Sequence, residues 1–169
     1  PISRSQQTMT MYQTFRQMLY GQYSFHSFTD KEINMSINLI RQMIELRIRK
    51  AFGIMAIENK DGGIEPIAVS TIFESINPYH SSITYEVPLA NIMRIYSWAN
   101  IYVHSGVKSY AWIPMMLEEY LRPILLGVED TNRNWSVNNG ISLSQETLGS
   151  IKNDILNKIG KDKKIIECR

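Results

Sequence analysis

Apolar residues recur every three or four positions through most of this chain, and that period predicts helices. From Ser5 to about Tyr20, Met11, Tyr12, Phe15, Met18 and Leu19 share one side, with glutamines and Arg16 between them, and Gly21 closes the segment. The second helix has the clearest start. Thr29 and Glu32 form a capping box, and Phe28 precedes it as a hydrophobic staple toward Ile33. Its apolar face runs through Ile33, Ile37, Ile40, Ile44, Ile48 and Ala51, widened by Met35, Leu39, Met43 and Leu46. A stripe of that width predicts a central helix touched on more than one side.

Asn59 to Gly63 reads as a turn, because its glycines reach positive φ without steric cost. Pro66 suits the first turn of a shorter helix carrying Val69, Ile72, Phe73 and Ile76, which Asn77-Pro78 stops, and Tyr79 to Glu86 follows as a connecting loop. Pro88 opens a fourth helix with Leu89, Ile92, Met93, Tyr96, Ala99 and Val103 inward and Gly106 at its C-terminal cap. A fifth covers Trp112 to Leu126, bent near Pro123, with Ile113, Met116, Leu117, Tyr120, Leu121 and Ile124 inward. Thr131 to Gly140 is a polar loop. The last helix starts near Ser142 or Ser144, buries Leu148, Ile151, Ile155 and Ile159, and ends at Gly160. A basic tail, 161–169, follows as a strand or as irregular chain. The expectation is an all-α fold: one domain over 1–169, a bundle of five or six helices with its helical core at 5–160.

Composition supports that scale. A chain of 169 residues that is 44% hydrophobic can bury a sizeable core without staples. Its net charge of +2 is too small to mark a dedicated nucleic-acid binder, so any such role rests on local patches. The single cysteine, Cys168, rules out an internal disulfide and points to a reducing compartment. Pro1 to Gln7 lack the apolar core of a secretory signal. The apolar run Ile113 to Leu126 is broken by Glu118, Glu119 and Arg122, short of the roughly 20 residues that span a bilayer. A cytoplasmic protein without membrane association is expected. Because the chain begins with proline, a preceding N-terminal segment is expected as well.

The segment Trp98 to Gly106 holds the candidate chemistry. Asn100 and His104 are four apart and share a helix face near its end, and a histidine can exchange a proton near neutral pH, as phosphodiester cleavage requires. Arg94 lies about 80° round from His104 on an ideal helix. The alternative is that Asn100 and His104 satisfy the helix end and a neighbouring loop by hydrogen bonds. Glu118 and Glu119 point about 100° apart, the wrong arrangement for an acid/base carboxylate pair. With His26, His80 and His104 isolated, no metal site and no cofactor are expected.

The Glu45-Leu-Arg-Ile-Arg49 stretch on the second helix, together with Asn100-x-x-x-His104-Ser-Gly106, resembles HEPN-type helical domains over roughly residues 28 to 125. Many members of that family are metal-independent ribonucleases of toxin, antiphage and RNA-processing systems. The resemblance implies RNA as partner, a homodimer, and His104 acting on the 2′-hydroxyl or the leaving oxygen with Arg94 or another arginine steadying the phosphate. Active members carry an arginine four to six residues before the histidine. Here Ser97 to Asn100 contains none.

Arg41, Glu45 and Arg49 fall at successive i+4 steps, with Arg47 and Lys50 nearby, so they form either a solvated ion-pair row or a phosphate-contacting strip. Lys158, Lys161, Lys163 and Lys164 form a second basic cluster. Tyr96, Trp98, Tyr102, Tyr110 and Trp112 can stack on bases, anchor a protein interface, or simply pack. Two functions follow as expectations: an RNA-binding or RNA-cleaving HEPN-like domain, and a non-catalytic helical module that binds another protein or a second copy of itself.

Overall fold

The computed structural model describes residues 4–25, 30–105, 110, 112–129, 135–136, 140–160 and 163–167. Most of these are helical, as expected, but short antiparallel strands that the helical period does not register are woven between the helices. The chain divides into two compact units. One comprises residues 1–47 and 86–140, the other 48–85 and 141–169.

The first unit holds α1 (Arg4–Phe25), most of α2 (Asp30–Ala51), α4 (Leu89–Ser105) and α5 (Trp112–Leu126). Its core is drawn from Tyr12, Phe15 and Leu19 of α1, Ile37, Ile40, Met43 and Ile44 of α2, Leu89, Ile92, Ala99 and Tyr102 of α4, and Leu121, Ile124 and Leu125 of α5. Gly21 does not close the first helix, which continues to Phe25. One glycine costs only about 1 kcal/mol in a helix interior. The capping box at Thr29 and the cap at Gly106 lie outside the described residues. After α5, Gly127 takes φ 84° and turns the chain into β4 (Val128–Glu129), which pairs with β5 (Trp135–Ser136) within the expected polar loop.

In the second unit the last turn of α2 leads through Gly53, at φ 65°, into β1 (Ile54–Glu58). The turn at Asn59 to Gly63 forms as read from sequence: Gly62 takes φ 80° and Asn59 N–H donates to the Gly63 carbonyl at 2.8 Å. β2 (Ile64–Glu65) returns beside β1, and β7 (Lys164–Glu167) pairs along its other edge, Ile57 opposite Ile165. Residues Lys164–Glu167 of the C-terminal tail are therefore a strand. α3 (Val69–Ile76) begins after Ala68, later than Pro66 predicts. It stops at Ile76, as Asn77-Pro78 predicts, but a 3-10 helix, Asn77–Ser82, follows where a loop was expected, with Pro78 in its first turn. β3 (Ile83–Tyr85) then pairs with β6 (Ile141–Leu143) where a loop was expected. α6 (Gln145–Ile159) has Ser144 as its N-cap, accepting from Thr147 N–H at 3.1 Å, and Gly160 as its C-cap. It packs on α3, with Ile151 and Ile155 buried on α6 and Ile72, Phe73 and Ile76 buried on α3.

Among the described residues no helix is long and apolar enough to cross a membrane, and no group of three or more metal-ligating side chains occurs.

Candidate functional site

The residues singled out by sequence do not converge. His104 is exposed on the last turn of α4, with Asn100 half-buried one turn before it. Arg94 is exposed on the same helix, but ten residues at 1.5 Å each place it about 15 Å from His104 along the axis. One phosphodiester does not span that distance within the chain.

The arginines of α2 are engaged by the protein itself. Arg41 pairs with Glu45 at 3.3 Å, and Tyr96 O–H donates to the same Glu45 at 2.8 Å. Arg47, read as a phosphate contact, is 2% exposed, and its Nε donates to the Ile124 carbonyl at 2.7 Å. Burial lowers its pKa to about 10, still a cation at neutral pH. A polyanion cannot approach a guanidinium enclosed in this way. Arg49 donates to the carbonyls of Met55 and Ile67, and Lys50 is half-buried. Of the C-terminal lysines, Lys158 faces Glu74 at 3.8 Å and Lys163 faces Glu65 at 3.3 Å; Lys164 is exposed on β7, and Lys161 lies outside the described residues.

The polar group that sequence reasoning passed over is Glu118, whose side chain is wholly buried. Tyr12 O–H donates to its Oε1, Tyr20 O–H to its Oε2 at 3.3 Å, and Arg122 Nη2 to Oε1 at 3.3 Å. Burial first, then the bond to Glu118 and its charge, push the Tyr12 phenol up to about 12. The same causes raise Tyr20, over whose ring the Arg16 guanidinium sits 5.2 Å from the centroid. These bonds to a carboxyl group with no exposed surface fasten α5 to α1. Its signal was present in the pattern: Glu118 stands three residues before Leu121 and seven before Leu125, a charge inside an apolar stripe.

That bond set also turns α5. The inward face comprises Pro114, Glu118, Leu121, Ile124 and Leu125, rotated by about 80° from the stripe expected around Met116 and Tyr120. Only Leu121 and Ile124 belong to both. The rotation leaves Trp112, Met116 and Tyr120, four residues apart on one side, at 55%, 61% and 42% exposure. Tyr110, itself exposed, stacks on Trp112 with centroids 6.3 Å apart and planes 16° from parallel. Asn91 Nδ2 of α4 donates to the Tyr120 hydroxyl at 2.5 Å, fixing that ring at the border of the patch. Trp98 and Tyr102, by contrast, pack with Ile37, Ala99 and Val103. Their centroids are 5.4 Å apart, with Tyr102 buried in the core and Trp98 half-buried against it.

A compact apolar patch of aromatic and thioether side chains on a helix, bordered by charge, is chemically suited to a protein surface. No family model matches this chain, and neither a curated protein nor a solved structure matches it.

Proposed function

We propose that this chain is a non-catalytic helical interaction module that docks a protein partner on the outward face of α5. The observation that carries this reading is the joint exposure of Trp112, Met116 and Tyr120 at i, i+4 and i+8. Tryptophan and tyrosine are enriched among residues that dominate binding energy, and methionine adapts its shape to the surface it meets. An i, i+4, i+8 row is also how one helix presents anchors to a partner.

A photo-reactive residue at position 116 tests the reading in the protein's native host, with the exposed Ala90 of α4 as control position. Discrete protein adducts from 116 and not from 90 are expected. Adducts that are absent, or equal at the two positions, sink the docking face.

The RNA reading retains one favourable observation, the exposure of His104. The HEPN-like resemblance needs an arginine beside that ring, and Arg94 is about 15 Å away along the helix. Bulk RNA incubated in chelator with the native protein and with His104→Ala separates the two readings. We expect no cleavage by either; cleavage by the native protein that His104→Ala abolishes would reinstate a ribonuclease.

A further inference from the structure

We infer that the occupant of the α5 face is a second copy of this chain, its α5 laid antiparallel across the first with a two-fold axis at Met116. The inference rests on the docking reading above and supplies its partner.

Self-pairing requires a patch that complements itself, so that when one residue meets another, the reverse contact also forms. The face has that property about Met116. Trp112 and Tyr120 lie about 6 Å to either side along the axis and about 40° to either side around it. Rotation by 180° about Met116 places the Trp112 of each copy against the Tyr120 of the other, and Met116 against its own counterpart. Two aromatic pairs then enclose a central pair of thioethers, a contact that suits sulfur. Antiparallel helices also oppose their dipoles favourably, whereas parallel ones do not.

Charge agrees with this choice. Arg122, which bonds the buried Glu118 at 3.3 Å, also lies 4.0 Å from Glu119 at the border of the patch, so no run of like charge there selects a strongly acidic or strongly basic partner. Area agrees as well. At the 150 to 250 Å² typical of a large side chain, the exposed parts of Trp112, Met116, Tyr120 and Tyr110 amount to about 500 Å². A symmetric pair therefore covers about 1,000 Å², the threshold of a specific interface, which points to a reversible dimer and not an obligate one.

Light scattering of the purified chain from about 1 µM to about 1 mM, coupled to chromatography, should show mass rising from monomer to dimer. Met116→Lys should weaken dimerisation by roughly tenfold or more while leaving the helical circular dichroism unchanged. Met116→Cys in a Cys168→Ser background provides a check that does not depend on that variant folding. Under mild oxidation it should form a disulfide-linked dimer faster than Ala90→Cys in the same background. A chain that stays monomeric throughout, yet still gives photo-adducts from position 116, overturns self-pairing and leaves the docking face standing. Absence of both dimer and adducts removes the two together. A dimer in which Met116→Cys links no faster than Ala90→Cys overturns the two-fold axis at Met116.

Discussion

Glu118 and Arg47 are the two charged side chains buried among the described residues, and each is held by bonds and not merely by packing. Glu118 accepts from two phenols and a guanidinium, so its removal leaves the buried Tyr12 phenol, and the half-buried Tyr20, without this acceptor. Glu118→Ala should therefore cost about 3 kcal/mol of stability in urea denaturation, as breaking buried charged bonds does elsewhere. Glu118→Gln keeps a carbonyl oxygen for one phenol and should cost less. In a double-mutant cycle, Glu118→Ala with Tyr12→Phe should show a coupling of about 1 kcal/mol or more. Additivity would mean that the Tyr12 bond contributes nothing. This residue was hard to read from sequence because a lone acid in an apolar helix reads as an interruption of the stripe. Only its partners on α1, about a hundred residues away, make it a core position.

At the scale of elements, local signals fared well and distant ones did not. The span Trp112–Leu126, Pro88 before Leu89, Ser144 at an N-cap and Gly160 at a C-cap all follow from neighbours within one or two turns. The pairing of Ile57 with Ile165, or of Ile83 with Leu143, leaves no trace at that range, so apart from the C-terminal tail, where a strand was one of two readings, the strands stayed hidden among helical segments. The facing of α5 was ambiguous for a related reason. Met116, Tyr120, Leu121 and Leu125 are all apolar, and the buried bonds of Glu118 decide between the two stripes. Gly140 illustrates a packing demand invisible in sequence, where it ends an apparently ordinary polar loop. A Cβ there would lie 2.6 Å from the Pro123 carbonyl oxygen and 3.0 Å from Ile124 Cα, main-chain atoms that cannot swing aside. Gly140→Ala should cost about 1 to 3 kcal/mol, the usual cost of overpacking, and lower the thermal midpoint. An unchanged midpoint would show that the end of α5 can shift.

At the scale of the molecule, the candidate chemistry was least legible, since it depends on which polar groups the fold encloses. His104 and Arg94 share a helix but not a site, whereas Tyr12, Tyr20 and Glu118 share a site across two helices. That enclosure has a consequence the whole protein expresses at alkaline pH. Tyr12, Tyr20, Tyr79, Tyr85 and Tyr96 all hold their protons above the ordinary phenol range: burial leads at Tyr12, Tyr20, Tyr85 and Tyr96, and the bond to Asp154 leads at Tyr79. A folded pKa raised above the unfolded one means that the native state binds more protons there, so stability falls as pH rises. The contribution is intact below pH about 10, where unfolded phenols are still neutral, and for Tyr12 it is lost as pH climbs through its own value of about 12. Tyrosine ionisation followed by absorbance, with helix content followed by circular dichroism, should therefore show two phases among the nine tyrosines. The phenols held above the ordinary range, those of Tyr12 and Tyr85 foremost, should form the later phase and ionise together with the loss of helical signal. Unfolding in guanidinium should merge the two phases into one near pH 10. If all nine ionise near pH 10 in the folded protein while the helices persist, the enclosed phenols of Tyr12 and Tyr85 are not shielded, and the attachment of α1 to α5 through Glu118 loses its physical basis.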